Sequence, residues 1–129
     1  VPDHKSYDYA IFRIVPYVER QEFINAGVIL FCRAFNFLDV LIDFELHRLQ
    51  AFAPQADLKM IRSQLKAIQA FSTGRDETGT VPDMTQSERF AWLTSPSSTV
   101  IQISPVHSGV CTDPGETLKD LFEFFVKKC

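Results

Sequence analysis

The chain has 129 residues, 46% of them hydrophobic and 22% charged, with a formal net charge of −3. This is the composition of one ordinary globular domain rather than a disordered chain, and the acidic balance argues against non-specific binding to nucleic acid. No apolar run approaches the ~20 residues that span a bilayer, and no stretch resembles a signal peptide.

Cys32, Cys111 and Cys129 are odd in number and not closely spaced, which suits a reduced, cytoplasmic setting better than a disulfide framework. Twelve phenylalanines imply an aromatic-rich core or, where several are exposed together, a partner surface.

Residues 1–6 are expected to form a flexible tail. From Tyr7 to Val15, Tyr9, Ile11 and Val15 alternate with Ala10, Phe12 and Ile14, so a strand with two apolar faces is predicted, ended by Pro16. Tyr17 to Asn25 reads as a connection with one helical turn through Glu19 to Phe23. Gly27 then heads the apolar run Val28-Ile29-Leu30-Phe31-Cys32, short and rich in β-branched and aromatic residues. Ala26–Arg33 is therefore predicted as a buried interior strand around which the rest is arranged. Gly27 at its entrance implies a positive φ, a bulge or a closely pressed neighbour. Leu38–Phe44 has the cleanest period of two, with Leu38, Val40, Ile42 and Phe44 on one face and Asp39, Leu41 and Asp43 on the other. One side of the sheet is thus expected to be partly wet.

The period then lengthens. Leu46, Leu49, Phe52 and Ala53 predict a short helix stopped by Pro54, and Leu58, Ile61, Leu65, Ile68 and Ser72 the stripe of a longer one capped by Asp57. Ser72–Met84, with two glycines and a proline, is the longest predicted loop. Thr85-Gln86-Ser87-Glu88 is a capping box opening a helix through Leu93. Val100–Ser104 is a fourth strand closed by Pro105, and His107 and Cys111 are expected in a loop leading into the last helix. Asp113, Pro114 and Glu116 open the last helix, with Leu118, Leu121, Phe122 and Phe125 on its apolar face. No repeat or inter-domain linker is present. The expected architecture is a single α+β domain, residues 1–129, with helices on a mainly antiparallel four-stranded sheet.

Candidate chemistry is sparse. Arg13 is a charge inside an apolar strand and needs water or a carboxylate, with Glu19 or Glu22 the nearest choices; alternatively its guanidinium is a fork for a ligand or partner. His107 and Cys111 precede a helix N-terminus, where a thiol can be activated, so a Cys/His nucleophile competes with a structural role for both. Lys59, Arg62 and Lys66 form a basic stripe expected to be a solvated helix face. Asp39, Asp43 and Glu45 resemble part of a metal-dependent nuclease site but lack the accompanying lysine. There is no CxxC, Gly-rich phosphate loop, GxSxG or HExxH, so neither a metal nor a cofactor is expected.

Taken together, Tyr9-Ala10-Ile11-Phe12-Arg13-Ile14-Val15-Pro16, Glu19 to Val28, Ser87-Glu88-Arg89-Phe90-Ala91-Trp92-Leu93 and Ser104 to Cys111 resemble the bacterial domain-of-unknown-function 3037 family, in order and over nearly the whole chain. The resemblance implies a small cytosolic protein that associates with a partner, since members are often encoded beside a HipA-like kinase; a homodimer is a second mode of association. The matching positions Arg13, Glu19, Glu22, Asn25, Ser87, Arg89, Trp92, His107 and Cys111 are the candidate functional residues. The preferred reading is a non-enzymatic interaction module. Its rival is a small enzyme or ligand-binding domain with a polar cleft of Arg13, Glu22, Arg89 and His107.

Overall fold

A computed structural model describes residues 4–73, 84–96 and 99–127. Among the described residues are five strands and four α-helices, in the order β1 Lys5–Ile14, β2 Ile24–Cys32, β3 Phe37–Ile42, α1 His47–Phe52, α2 Leu58–Thr73, α3 Gln86–Leu93, β4 Ile101–Ile103, β5 His107–Cys111 and α4 Pro114–Phe122. All strand pairs are antiparallel, and the main order is β3-β2-β1-β4, with β5 also on β1. The α+β class and the interior place of β2 follow the sequence reading.

The centre of the sheet, however, is β1 as much as β2. One edge of β1 pairs with β2, while the other is shared by two short strands, β4 opposite Phe12–Ile14 and β5 opposite Lys5–Tyr9. The sheet is therefore five-stranded rather than four-stranded, and residues 107–111 are a strand rather than a loop. Lys5 and Ser6, expected in a tail over 1–6, belong to β1, opposite Cys111 and Val110, and residues 1–3 lie outside the described ones. Of the predicted loop Ser72–Met84, Ser72 and Thr73 belong to α2, and 74–83 lie outside the described residues.

A break is needed where β4 gives way to β5, because Pro105 cannot donate to a ladder. Ser104 spans it. Its amide donates to Ile11 O at 2.9 Å, its Oγ accepts from Ile11 N at 2.8 Å, and the same hydroxyl donates to Pro105 O at 2.9 Å. A buried side chain thus completes the hydrogen bonding of β1 between the two strands.

A second irregularity lies between β1 and β2. Phe12 is opposite Gly27 but Arg13 is opposite Asn25, so Ala26 is an inserted residue. The bulge puts Ala26 and Ile24 on the same side as Ile29 and Phe31, and sends Asn25 to the opposite side. Gly27 is required for close approach: a Cβ there would lie 2.9 Å from Leu41 O and 3.0 Å from Ile42 Cγ1.

Both faces of the sheet are covered. On one, Ala10, Phe12, Ile14, Ile29 and Val40 pack against Leu46, Leu49, Ile61, Leu65 and Phe90 from α1–α3 and the lead into α1. On the other, Ile11, Val28, Leu30 and Cys32 pack against Leu118, Val126, Leu121, Phe122 and Phe125. On the face beside Leu41 lies the last helix, continued by a wider π-helical turn over Glu123–Lys127, and Asp39, Leu41 and Asp43 are half-buried beneath it, so that the face is covered in part. Asp43, on that side, pairs with Lys127 at 3.5 Å.

The helix signals act as expected. Asp57 Oδ1 accepts from Met60 N, Thr85 and Glu88 close a full capping box, and Asp113 Oδ1 accepts from Glu116 N with Pro114 at the first position. The turn expected through Glu19 to Phe23 is a shorter 3-10 turn, Val18–Arg20, ended by Gln21 at φ 59°. Leu46 ahead of α1 is also left-handed, φ 58°, although its side chain is fully buried. For a non-glycine residue that costs roughly 1–2 kcal/mol, offset by the core it fills. Arg62 helps hold the segment: its Nε and Nη2 donate to Phe44 O and Glu45 O at 2.8 and 3.1 Å. It is a backbone clamp rather than part of a solvated stripe.

Candidate functional site

The nine sequence candidates do not converge. Arg13 is half-buried on β1, and its guanidinium lies 4.3 Å from the centre of the Phe23 ring. Glu22 pairs instead with Arg20 at 2.8 Å, and Glu19 is exposed on the 3-10 turn. The expected Arg13–Glu19 or Arg13–Glu22 pair is therefore replaced by a cation–π contact, with Arg13 Nε buried and unpartnered. Asn25 is structural: its Nδ2 donates to Phe125 O at 3.1 Å across the bulge.

His107 and Cys111 sit at opposite ends of β5, four residues and so roughly 13 Å apart along the strand. His107 is exposed and its ring lies 5.5 Å from that of Tyr9, opposite it on β1. Cys111 is buried against Cys32 and Leu118. Burial, and then the neighbouring Cys32, push its thiol above the ordinary range, outweighing the lowering by Thr117. The helix start does not activate it, and the two side chains form no dyad. Between them, Tyr7 lies over Gly109, where a Cβ would come within 2.6 Å of the tyrosine hydroxyl.

Arg89, on α3, donates from Nη1 to the carbonyl of Met84, and its Nε is buried without a partner. It works on the backbone ahead of the helix. None of Arg13, Glu22, Arg89 and His107, the residues of the predicted cleft, lines either of the two cavities that flank α3, and Arg13 and His107 attach to β1 four residues apart.

The cavities flank α3. The first, about 340 Å³, is a groove between α2, α3 and β4, lined by Phe12, Ile68, Trp92, Leu93, Ile101 and Ile103 among others, with no charged residue in its wall. Trp92 is 67% exposed there, its ring 6.3 Å from that of Phe71. The second, about 330 Å³, lies on the other flank, between α3 and the ends of β1 and β2. It contains Asp8, Arg33 and Ser87, and Arg33 Nη2 donates to Ser87 Oγ at 3.4 Å. Arg33 and Asp8 were missed by the sequence reading because each sits beside an apolar strand run, where a charge resembles an ordinary strand end.

No cluster of histidine, cysteine or acidic residues among the described ones could hold a metal ion, and no helix among them is long and apolar enough to cross a membrane. The geometry is that of an α+β domain whose antiparallel sheet is enclosed by helices on both faces. The family model described as "Protein of unknown function (DUF3037)" matches residues 9–126, and the chain belongs to that family. No curated protein and no solved structure matches it.

Proposed function

We propose that this is a non-enzymatic bacterial interaction module, acting in the cytoplasm by holding a partner protein in the groove between α2, α3 and β4. The observation that carries the reading is Trp92, two-thirds exposed at an uncharged, apolar groove. A large aromatic side chain left in water beside unfilled apolar surface is a common anchor of protein interfaces. β4 ends the sheet order, so its outer edge offers main-chain groups to an extended segment alongside the groove. The occupant that fits is an uncharged, apolar stretch of a partner chain adding to β4, with one large side chain in the groove. A HipA-like kinase is the first partner to try, in a regulatory or toxin–antitoxin pairing, as the association that the sequence resemblance implies.

Purification of the tagged protein from its native host, beside a Trp92→Ala variant, tests the reading. The expected result is a partner recovered with the wild type and lost with the variant, at unchanged thermal stability. Recovery of the same proteins with both would remove the groove from function. A partner that depends on Trp92 but is not a kinase would retain the module and discard the kinase.

A further inference from the structure

The second cavity carries a different assignment. It holds one cation and one anion that are not spent on each other. The ion pairs among the described residues are Arg20–Glu22, His47–Glu45, Lys119–Glu116 and Lys127–Asp43; Arg33 and Asp8 belong to none. Asp8 is on β1, opposite Phe31 of β2, and Arg33 opens the 3-10 turn Arg33–Phe35 directly after β2, two residues beyond Phe31, yet they turn apart. Arg33 reaches toward α3, where its contact with Ser87 Oγ is long at 3.4 Å, and Asp8 turns toward β5, where Oδ1 accepts from Ser108 Oγ at 2.6 Å. Phe31 and Phe90 belong to the same wall, ring centres 5.5 Å apart.

We propose that this cavity is a binding site for a free α-amino acid with a large apolar side chain. Arg33 and Ser87 take the carboxylate, Asp8 takes the ammonium group, and Phe31 and Phe90 meet the side chain. A guanidinium beside a hydroxyl suits a carboxylate, and the long Arg33–Ser87 contact gives way to it readily. Ser108 occupies a single oxygen of Asp8, which leaves the carboxylate able to accept from an ammonium. The acid also decides against phosphate and other dianions, which would face an uncompensated like charge.

Titration calorimetry of the full chain with L-phenylalanine tests the assignment, with 3-phenylpropanoate lacking the ammonium and 2-phenylethylamine lacking the carboxylate as comparators. Phenylalanine should bind, each comparator at least about tenfold more weakly. Arg33→Gln and Asp8→Asn should each weaken phenylalanine by a similar factor while Trp92→Ala leaves it unchanged, which separates this site from the docking groove. Ser87→Ala serves in place of Arg33→Gln if that variant does not fold. Absence of binding by phenylalanine and leucine overturns the proposal. So does equal binding of either comparator, or binding indifferent to both charge variants.

Discussion

The side-chain amide of Asn25 donates to the carbonyl oxygen of Phe125 at 3.1 Å, tying the start of β2 to the last turn of the chain's final helix. That carbonyl lies in the π-helical turn Glu123–Lys127, and Arg48 Nη1 serves its neighbour, Val126 O, at 2.8 Å. Asn25→Ala should cost about 1 kcal/mol in urea unfolding. Asn25→Asp should cost more at neutral pH, because it removes the donor and brings a negative charge to the negative end of the helix. Equal losses in the two variants would show that the amide does not serve this role.

Ser104 should be the most expensive small polar residue to truncate. Ser104→Ala leaves the Ile11 amide buried without an acceptor, at a cost of about 1–3 kcal/mol. Hydrogen exchange should localise the damage, with the Ile11 amide accelerating beyond any general loss of stability.

Arg13→Leu should leave stability within about 1 kcal/mol of wild type or raise it, since it gives up one cation–π contact and also removes a buried, unpartnered Nε. A loss of ~3 kcal/mol, the size expected for breaking a buried ion pair, would contradict the contact with Phe23.

Cys111 sets an alkaline limit. Below the ~8.5 of an unfolded thiol it is protonated in both states and adds no pH dependence. Above that, the unfolded chain ionises first and stability falls until the raised folded thiol also ionises. Tyr7, raised chiefly by burial and then by Tyr9 and Cys111, adds a second fall above ~10. Cys111→Ala should flatten the first part of the decline in melting temperature. With Cys129 replaced, iodoacetamide should label the folded protein slowly, with no inflection near pH 6 and no change in His107→Ala; fast labelling lost in that variant would restore the dyad.

The strands with two-sided apolar patterns, β1 and β2, and the capped helices were legible because their signals are local: alternation, Asp57, the Thr85 box, Asp113 before Pro114. β5 was not legible, because its credentials lie elsewhere. Gly109 has low strand propensity until Tyr7 covers it, and Val110 is 68% exposed, so no alternation announces the strand. Arg13 was legible as an anomaly but not in its solution, since Phe23 competes with two nearer acids only once the connection has folded back. Ser87 was marked, yet its cavity partners come from β1 and the residue after β2, 79 and 54 positions away, and no local pattern joins them.

The division of one edge of β1 between β4 and β5 also has a consequence during synthesis. β1, β2 and β3 emerge as a meander and can pair while the chain is still growing, but the partners for the remaining edge of β1 lie some ninety residues later. Until residues 101–111 leave the ribosome, a long, largely apolar strand presents an open hydrogen-bonding edge, the kind of surface on which nascent chains join one another. A ribosome stalled before Ile101 would therefore display the most association-prone form of this protein, and the short tract Ser104-Pro105 is the seam at which that exposure ends.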